Sequence, residues 1–147
     1  MNNKRLEWLG RCHKSEDFLL AYASARSIGF KNINTDLIYG IPGQTFEEWV
    51  VTVQTVLSLA PEHISAYPLT IEENTPFWNE RVKVEEDFQA ELYTRTAEIL
   101  PSNGYEHYEI SNFARESYQC RHNLIYWRNE DYLGVGLGAC GYINGTR

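Results

Sequence analysis

The sequence has few cysteines and no long apolar run. Cys12, Cys120 and Cys140 are odd in number and far apart, so they predict neither a disulfide framework nor a C-x-x-C pair. The longest weakly polar stretch, residues 49–61, contains Thr and Gln and is shorter than the roughly 20 residues that a membrane span requires. Residues 1–7 lack the apolar core of a signal peptide. These absences together predict a cytoplasmic protein in a reducing compartment.

Positive charge is also scarce. The 147 residues include 13 Lys and Arg against 20 Asp and Glu, which gives a formal net charge of -7 at pH 7. Because a nucleic-acid-binding surface needs a basic stripe, we expect no nucleic acid among the partners. The apolar fraction of 43% is that of a globular domain with a real core. Aromatic residues are frequent in the last third of the chain, where a flat apolar ligand or an ordinary core could use them.

Two successive strand–helix units follow an N-terminal helix. Ser15 is the predicted N-cap of that first helix, and Thr45 with Glu48 predicts a capping box at the start of the second. Because two consecutive strand–helix units of roughly 30 residues are typical of right-handed crossovers, the pattern predicts an α/β fold with a parallel sheet. The predicted elements are a helix over 15–27, a strand over 33–39, a helix between Thr45 and Pro61, a strand over 64–69, a polar loop over 70–84 and a helix over 85–100.

The pattern changes after Gly104. Residues 105–110, 124–127 and 132–143 are predicted to form short strands joined by turns, with no further long helix. Two strand–helix units are too few for a closed barrel or for an independent doubly wound sheet. We therefore expect the chain to be a fragment whose remaining strands come from a missing N-terminal part or from a partner.

The segment from Asp36 to Thr45 (DLIYGIPGQT) is a candidate ligand site. It is typical of a buried strand that ends on a carboxylate, turns through Gly40, Pro42 and Gly43, and enters a helix. Ligand sites of α/β proteins lie at such carboxyl ends of parallel strands. A buried Asp36 would need a polar partner, and a ligand hydroxyl or amine is one candidate. The alternative is that Asp36 only caps neighbouring backbone amides and that the glycines only shape the turn.

A glycine-rich segment near the end of the chain matches the letters of a dinucleotide-binding motif. Residues 136–141 read GLGACG, which fits G-x-G-x-x-G. That motif indicates dinucleotide binding only where a helix follows, and only six residues remain after Gly141. We therefore reject the dinucleotide interpretation and predict a tight, strand-rich segment whose backbone packs closely against a neighbour.

His122 lies in the segment 121–129 (RHNLIYWRN), beside amide and aromatic side chains. Such a histidine could ligate a metal or stack on a planar cofactor, since haem iron commonly takes an axial histidine. The alternative is a hydrogen-bonded core histidine with Tyr and Trp as packing, which composition alone favours. The other three histidines are isolated in the sequence, and no two histidines have the i, i+4 spacing of a helical metal site.

Several segments resemble one enzyme family. Residues 36–45 (DLIYGIPGQT), 61–65 (PEHIS) and 108–115 (YEISNFAR) look like the oxygen-independent coproporphyrinogen oxidase family of radical S-adenosylmethionine enzymes. Residues 121–127 (RHNLIYW) are similar to the H-N-x-x-Y-W signature of the HemW-type haem chaperones within that family. The coproporphyrinogen oxidases proper have a different sequence at this place. The resemblance extends over essentially the whole chain.

The resemblance implies an α/β fold made of the later βα units of a partial (β/α) TIM-like barrel over residues 1–104. A strand-rich C-terminal extension would begin at residue 105 and continue to 147. It also implies a scaffold that binds S-adenosylmethionine and a 4Fe-4S cluster at the carboxyl ends of its strands. Family members hold the cluster with a C-x-x-x-C-x-x-C loop, which this sequence lacks. We therefore expect the cluster ligands to lie outside this chain, and no radical chemistry from the chain alone.

The resemblance also implies roles for individual residues. Arg11 and Asp36, 25 residues apart, match family positions that contact S-adenosylmethionine. Thr70 falls on a backbone position that lines the same pocket, and Cys140 aligns with a position that lines a further S-adenosylmethionine site.

For haem, the resemblance implies four residues of the signature: His122, Asn123, Tyr126 and Trp127. His122 is the candidate ligand of the haem iron.

The main hypothesis is a fragment of a cytoplasmic haem carrier that binds haem and S-adenosylmethionine and delivers haem or porphyrin to an acceptor protein. Membrane-associated respiratory haem proteins are among the acceptors that the resemblance suggests. The alternative is an enzyme that oxidises coproporphyrinogen, with radical decarboxylation of two propionates to vinyl groups. A third hypothesis is an α/β interaction domain without a cofactor. The H-N-x-x-Y-W segment favours the carrier.

Overall fold

The computed structural model describes residues 2–147 as a mixed α/β fold around one four-stranded sheet. In chain order the elements are α1 (Asn3–Trp8), α2 (Ser15–Ile28), β1 (Asn34–Tyr39), α3 (Phe46–Leu59), β2 (His63–Pro68), α4 (Pro76–Asn79), α5 (Glu86–Ile99), a 3-10 turn (Pro101–Asn103), β3 (Glu106–His107), β4 (Asn112–Ala114) and α6 (Arg121–Trp127).

The sheet combines parallel and antiparallel pairing in the order β1-β2-β4-β3. β1 and β2 are parallel, with Asp36 opposite Ser65. β4 pairs antiparallel with β2, which places Asn112 on the other side of Ser65, and β3 pairs antiparallel with β4. The predicted parallel pair is confirmed, and the sheet as a whole is mixed because β3 and β4 join it as a hairpin.

One face of the sheet is apolar and contacts α3 and α5. Side chains alternate along each strand, so every second residue points to this face. The core there comprises strand residues and the inward faces of the two helices: Leu37, Tyr39, Trp49, Val53, Val56, Ile64, Ala66, Leu92, Leu100, Tyr105 and Phe113. Among residues 2–147, no helix is long and apolar enough to cross a membrane.

A buried hydrogen bond joins the two core helices. The Trp49 Nε1 group on α3 donates to Thr96 Oγ1 on α5 at 2.8 Å, and that hydroxyl donates to the Leu92 carbonyl at 2.7 Å. Trp49 and Thr96 are both fully buried. Because a buried indole N–H without a partner is costly, this bond fixes how α3 and α5 pack.

Of the two predicted helix N-caps, the structure confirms that of α3 and corrects that of α2. Thr45 and Glu48 form the predicted capping box: Thr45 Oγ1 accepts from the Glu48 N–H at 3.2 Å, and Glu48 Oε2 accepts from the Thr45 N–H at 3.1 Å. The N-cap of α2 is Lys14 rather than Ser15, because the Asp17 carboxylate accepts from the Lys14 N–H at 2.8 Å. The helix therefore begins at Ser15.

The prediction of short strands after Gly104 is confirmed at β3, which lies within 105–110, and is wrong for residues 124–127. Residues 124–127 lie in helix α6, and β3 and β4 are only two and three residues long. Within 132–143 the pairing is reduced to a single bridge between Tyr132 and Tyr142. A short apolar run fits a strand and a helix equally well by pattern, and here the helix forms.

The glycine-rich segment is also less packed than its sequence predicts. Gly136 and Gly138 adopt positive φ angles of 115° and 76° with open space around the position of a side chain. The predicted close backbone approach is confined to the end of the segment, where the Cys140 carbonyl group lies against Gly134 and Gly141 lies against the Gly134 nitrogen and the Tyr132 carbonyl oxygen. The glycines at 136 and 138 are therefore required by the turns of the chain rather than by a neighbour.

We predict that Thr96→Val destabilises the protein by about 1–3 kcal/mol, because it leaves the buried Trp49 N–H without an acceptor. Thr94→Val is the matched control, since Thr94 lies on the exposed side of α5 and makes the same hydroxyl bond to the carbonyl four residues earlier, at 2.9 Å. Urea unfolding of both variants measures the difference. Equal stability of the two variants would contradict the role of the Trp49–Thr96 bond.

Candidate functional site

The second face of the sheet is polar and is not covered by α3 or α5. Asn34 and Asp36 on β1 and His63, Ser65 and Tyr67 on β2 alternate with the core residues. All five line one cavity of about 620 Å³, which β4 and the start of α6 close on the other side. The prediction that Asp36 ends a strand and is buried is wrong, because Asp36 lies inside β1 and is exposed toward this cavity.

A continuous chain of hydrogen bonds crosses the polar face. Asp36 Oδ1 accepts from Asn34 Nδ2 at 2.7 Å, and Asn34 Oδ1 contacts His63 Nδ1 at 2.6 Å. His63 Nε2 contacts the Tyr108 hydroxyl at 2.7 Å. That hydroxyl accepts from the Cys120 backbone N–H at 3.3 Å. This series of hydrogen bonds therefore links β1 and β2 to Cys120, the residue that precedes α6.

The partners of His63 fix its tautomer. Asn34 must present its amide nitrogen to the Asp36 carboxylate, so its oxygen faces His63, and the Nδ1 of His63 is the donor. Nε2 then accepts the proton of Tyr108. Burial raises the pKa of Tyr108, which keeps that hydroxyl protonated and able to donate.

Burial also lowers the pKa of His63, against the opposing influence of the Asp36 and Glu109 carboxylates. The ring is only 5% exposed, so its charged form loses hydration that the carboxylates do not fully replace. His63 is therefore a neutral imidazole at neutral pH, in agreement with its hydrogen bonds.

Asn112 contributes an unpaired acceptor to the same cavity. It is 4% exposed, lies beside Ser65 in the sheet register, and its side-chain oxygen has no hydrogen-bond partner. A buried amide oxygen without a donor is costly, so a polar ligand or a water molecule that donates to it would be favoured. The cavity is thus chemically suited to an occupant with hydrogen-bond donors.

A second cavity lies between α1, α2 and the edge of β1. It has a volume of about 310 Å³, and both Arg11 and Asp36 line it. Two further lining groups, Arg5 Nε and Thr35 Oγ1, are buried without a partner. The structure therefore brings Arg11 and Asp36 to one cavity, which also offers the Arg5 Nε–H group and the Thr35 hydroxyl to a ligand. The Arg5 and Thr35 groups fit the carboxylate and ribose oxygens of S-adenosylmethionine, and the Asp36 carboxylate fits its ammonium group as an acceptor.

The turn after β1 is held by side chains from two directions. Gln44 Oε1 accepts from the Gly40 N–H at 2.8 Å, and the Arg5 guanidinium donates to the carbonyl groups of Pro42, at 3.0 Å, and of Gly43. Gly40 has a φ of 71°, and the Gln89 side chain occupies the space that a side chain at position 40 would need. Glycine is required there for both reasons.

Helix α6 presents an aromatic surface. His122 and Tyr126 lie one turn apart, with ring centroids 4.8 Å apart in an edge-to-face arrangement and with the Tyr126 hydroxyl 3.0 Å from His122 Nε2. Trp127 is 54% exposed, and its indole N–H donates to Glu109 Oε2 at 3.1 Å. Asn123 points the other way and donates to the Tyr108 hydroxyl at 3.5 Å. His122, Tyr126 and Trp127 are thus accessible to a large ligand.

Thr70 and Cys140 are not brought to these cavities. Thr70 is exposed just beyond β2, next to Leu69, whose N–H donates to the Tyr39 carbonyl at 2.8 Å. Like the Gly40 turn, it follows the carboxyl end of a parallel strand, but it does not line the cavity with Arg11 and Asp36. Cys140 is exposed and carries a free thiol.

The residues present do not fit a 4Fe-4S cluster. Within residues 2–147, no three His, Cys, Asp or Glu side chains come together as metal ligands. Each of the three cysteines is a free thiol.

The comparison with solved structures defines the class of fold. The chain is similar to the Escherichia coli structure described as "Coproporphyrinogen III oxidase (HemN) from Escherichia coli is a Radical SAM enzyme", with a TM-score of 0.76. The match covers 99% of this chain and 37% of that one at 23% identity, so it shows the fold alone. No protein-family model matches the chain.

The comparison with curated proteins finds relatives that match almost the whole chain. Over 97% of its length the chain is 44% identical to the heme chaperone HemW of Bacillus subtilis (strain 168) and 37% identical to the heme chaperone HemW of Escherichia coli (strain K12). It is 39% identical to the Lactococcus lactis protein of the same name over 99% of its length. Nearly the whole chain is thus similar to one part of proteins named heme chaperone HemW. It spans 38–40% of the length of these three relatives.

Sequence reasoning missed the residue at the centre of the polar network. It treated His63 as isolated, because its partners Asn34 and Tyr108 lie 29 and 45 residues away. The alternation of polar residues along 34–36 and 63–67 was the available signal, since it predicts a polar sheet face opposite the core. Arg5 and Thr35 carried no such signal.

We predict that the protein loses stability as the pH falls, and that His63 is responsible for part of the loss. The folded pKa is lowered, so the stability due to the neutral ring is complete above the unfolded pKa of about 6.5 and is lost as the pH falls through the folded pKa. Urea unfolding at about pH 7.5 and about pH 5.5 should show a smaller loss for His63→Gln than for the wild type. His13→Gln, at an exposed histidine, should behave as the wild type does. Parallel losses in all three proteins would refute the assignment.

Proposed function

We propose that this chain is the haem-binding part of a haem chaperone built on a radical S-adenosylmethionine scaffold. The observation that carries the proposal is the surface of α6, where His122, Tyr126 and Trp127 are all exposed. A porphyrin offers a flat apolar face and an iron with axial positions, and exposed aromatic rings beside an imidazole suit both. The similarity to proteins named heme chaperone HemW supports the same function.

The contacts of His122 assign a role to Tyr126. The Tyr126 hydroxyl lies 3.0 Å from His122 Nε2 and orients the imidazole ring. Neutral imidazole is the form that ligates iron. In the proposal, His122 supplies the axial nitrogen, while Tyr126 and Trp127 contact the porphyrin plane. Haem is the cargo in this account, and the chain holds it without changing it.

The same proposal gives S-adenosylmethionine a place beside β1. Arg11 and Asp36 would contact the cofactor, and the unpaired Arg5 Nε and Thr35 Oγ1 groups support this because they line the same cavity. Thr70 would line the pocket through its backbone, and Cys140 would line a further site. When bound with a cluster, S-adenosylmethionine supplies radical chemistry, whereas the residues of this chain only bind and orient it.

The larger assembly is part of the proposal as well. Residues 1–104 would form the later βα units of a partial (β/α) barrel that binds the 4Fe-4S cluster through ligands outside this chain. Residues 105–147 would begin the C-terminal extension. The barrel is supported by the parallel β1–β2 pair and by the similarity in fold to HemN. We place the protein in the cytoplasm and expect a haem-acceptor protein as its partner, with membrane-associated respiratory haem proteins as candidates.

We predict that His122→Ala weakens haem binding by at least about tenfold, because it removes the axial nitrogen. Haem is titrated into this chain and into a chimaera in which the chain replaces the matched segment of the Bacillus subtilis relative. The dissociation constant and the Soret maximum are recorded. His13→Ala is the control for unspecific ligation by a surface histidine, and it should leave both quantities unchanged.

Equal haem affinity of His122→Ala and the wild type in both proteins would contradict the proposal. Vinyl product formed from coproporphyrinogen by the chimaera would instead favour the alternative, a porphyrinogen oxidase. Because that reaction changes the propionates of the substrate, product analysis by mass separates the two functions directly.

A further inference from the structure

Helix α6 has neither a buried face nor a side-chain N-cap. It has only seven residues, none of which is buried. Its N-cap residue, Cys120, makes no side-chain capping bond. Isolated helices of this length are unstable in water, and packing of an apolar face normally compensates. Leu124 and Ile125 are only half-buried, and Tyr126 packs on Tyr132 at 4.5 Å, so the polar contacts of α6 with the rest of the fold contribute to its position.

Two adjacent residues supply these contacts at opposite ends of α6. The Tyr108 hydroxyl accepts from the Cys120 N–H at 3.3 Å and from Asn123 Nδ2 at 3.5 Å, at the start of the helix. The Glu109 carboxylate accepts from the Trp127 indole N–H at 3.1 Å, at its end. The Tyr108 oxygen thus satisfies a backbone N–H that the helix itself leaves unpaired.

Tyr108 is in turn hydrogen-bonded to the sheet through His63 on β2. Its proton is donated to His63 Nε2 at 2.7 Å, and the two rings meet edge to face at 5.6 Å. His63 is fixed by Asn34 on the other side, at 2.6 Å. With its proton committed to His63, the Tyr108 oxygen can only accept from α6. The orientation of Tyr108 is therefore determined by the neutral tautomer of His63.

The geometry points to His63 and Tyr108 as positioning residues that hold α6 so that His122 faces outward to take haem. Asn123, although part of the same H-N-x-x-Y-W segment, belongs to this support and not to the haem contacts. The inference rests on the proposed haem function of α6. It divides the segment into an outward group, His122, Tyr126 and Trp127, and an inward residue that anchors the helix.

Tyr108→Phe tests the inference, because it removes one hydroxyl and keeps the ring that packs on His63. Hydrogen exchange of the haem-free chain should be faster in the first turn of α6. Haem affinity should fall by at least roughly twofold, because the hydroxyl makes two hydrogen bonds to the start of α6 and one to His63. The matched control is Tyr105→Phe, which removes a buried hydroxyl that donates to the Pro61 carbonyl at 2.6 Å and has no contact with α6. It should leave exchange in α6 and haem affinity unchanged.

Two variants of His63 separate positioning from general stability. His63→Gln keeps an acceptor near the Nε2 position and should retain more haem affinity than His63→Leu, which keeps none. In a double-mutant cycle, Tyr108→Phe and Asn123→Ala should give less than the sum of their separate losses, because both remove the same support.

Each outcome has a definite meaning. Unchanged exchange in α6, or unchanged haem affinity in Tyr108→Phe while His122→Ala weakens binding, would overturn the positioning role and leave the proposed function intact. Equal effects of Tyr105→Phe and Tyr108→Phe on haem affinity would also overturn it, since both would then act through stability alone. No effect of His122→Ala on haem binding would instead remove the proposed function itself.

Discussion

The neutral imidazole of His63 lies between an amide on β1 and a phenol that follows β3, and the polar half of the molecule is organised around it. Asn34 Oδ1 and the Tyr108 hydroxyl are 2.6 Å and 2.7 Å from its two nitrogens. The bond to Asn34 forms in either charge state, but in a charged ring Nε2 would donate and the Tyr108 proton would have to turn away. Burial, which lowers the pKa of His63, and the hydrogen-bond pattern therefore require the same protonation state.

The hydrogen bonds of His63 connect the cavity lined by Arg11 and Asp36 to the candidate haem-binding surface of α6. Asp36, at one end of the hydrogen-bond chain, lines the cavity with Arg11, while Tyr108 at the other end supports the helix that carries His122. The opposite face of the sheet has the apolar core with Trp49 and contributes rigidity rather than chemistry. A parallel strand pair thus separates a packed face from a polar face, and the candidate haem helix is attached to the polar one.

The strand–helix units could be predicted because their signals are local. The Thr45–Glu48 capping box and the apolar spacing of α3 are contained within one stretch of sequence. The strand proposed at 124–127 was wrong because a short apolar run has no decisive period. The hydrogen bonds that anchor this helix go to Tyr108 and Glu109, which are distant from its own apolar pattern. The exposure of Asp36 and the role of His63 depend on strand register, which residues far apart in the sequence determine.

The most direct measurement is the tautomer of His63, read from the nitrogen-15 chemical shifts of its ring by NMR at neutral pH. The account predicts a neutral ring with the proton on Nδ1 and an Nε2 that accepts a hydrogen bond, with the Nε2 shift changing in Tyr108→Phe. A proton on Nε2, or a charged ring at neutral pH, would contradict it, because Tyr108 could not then donate to His63.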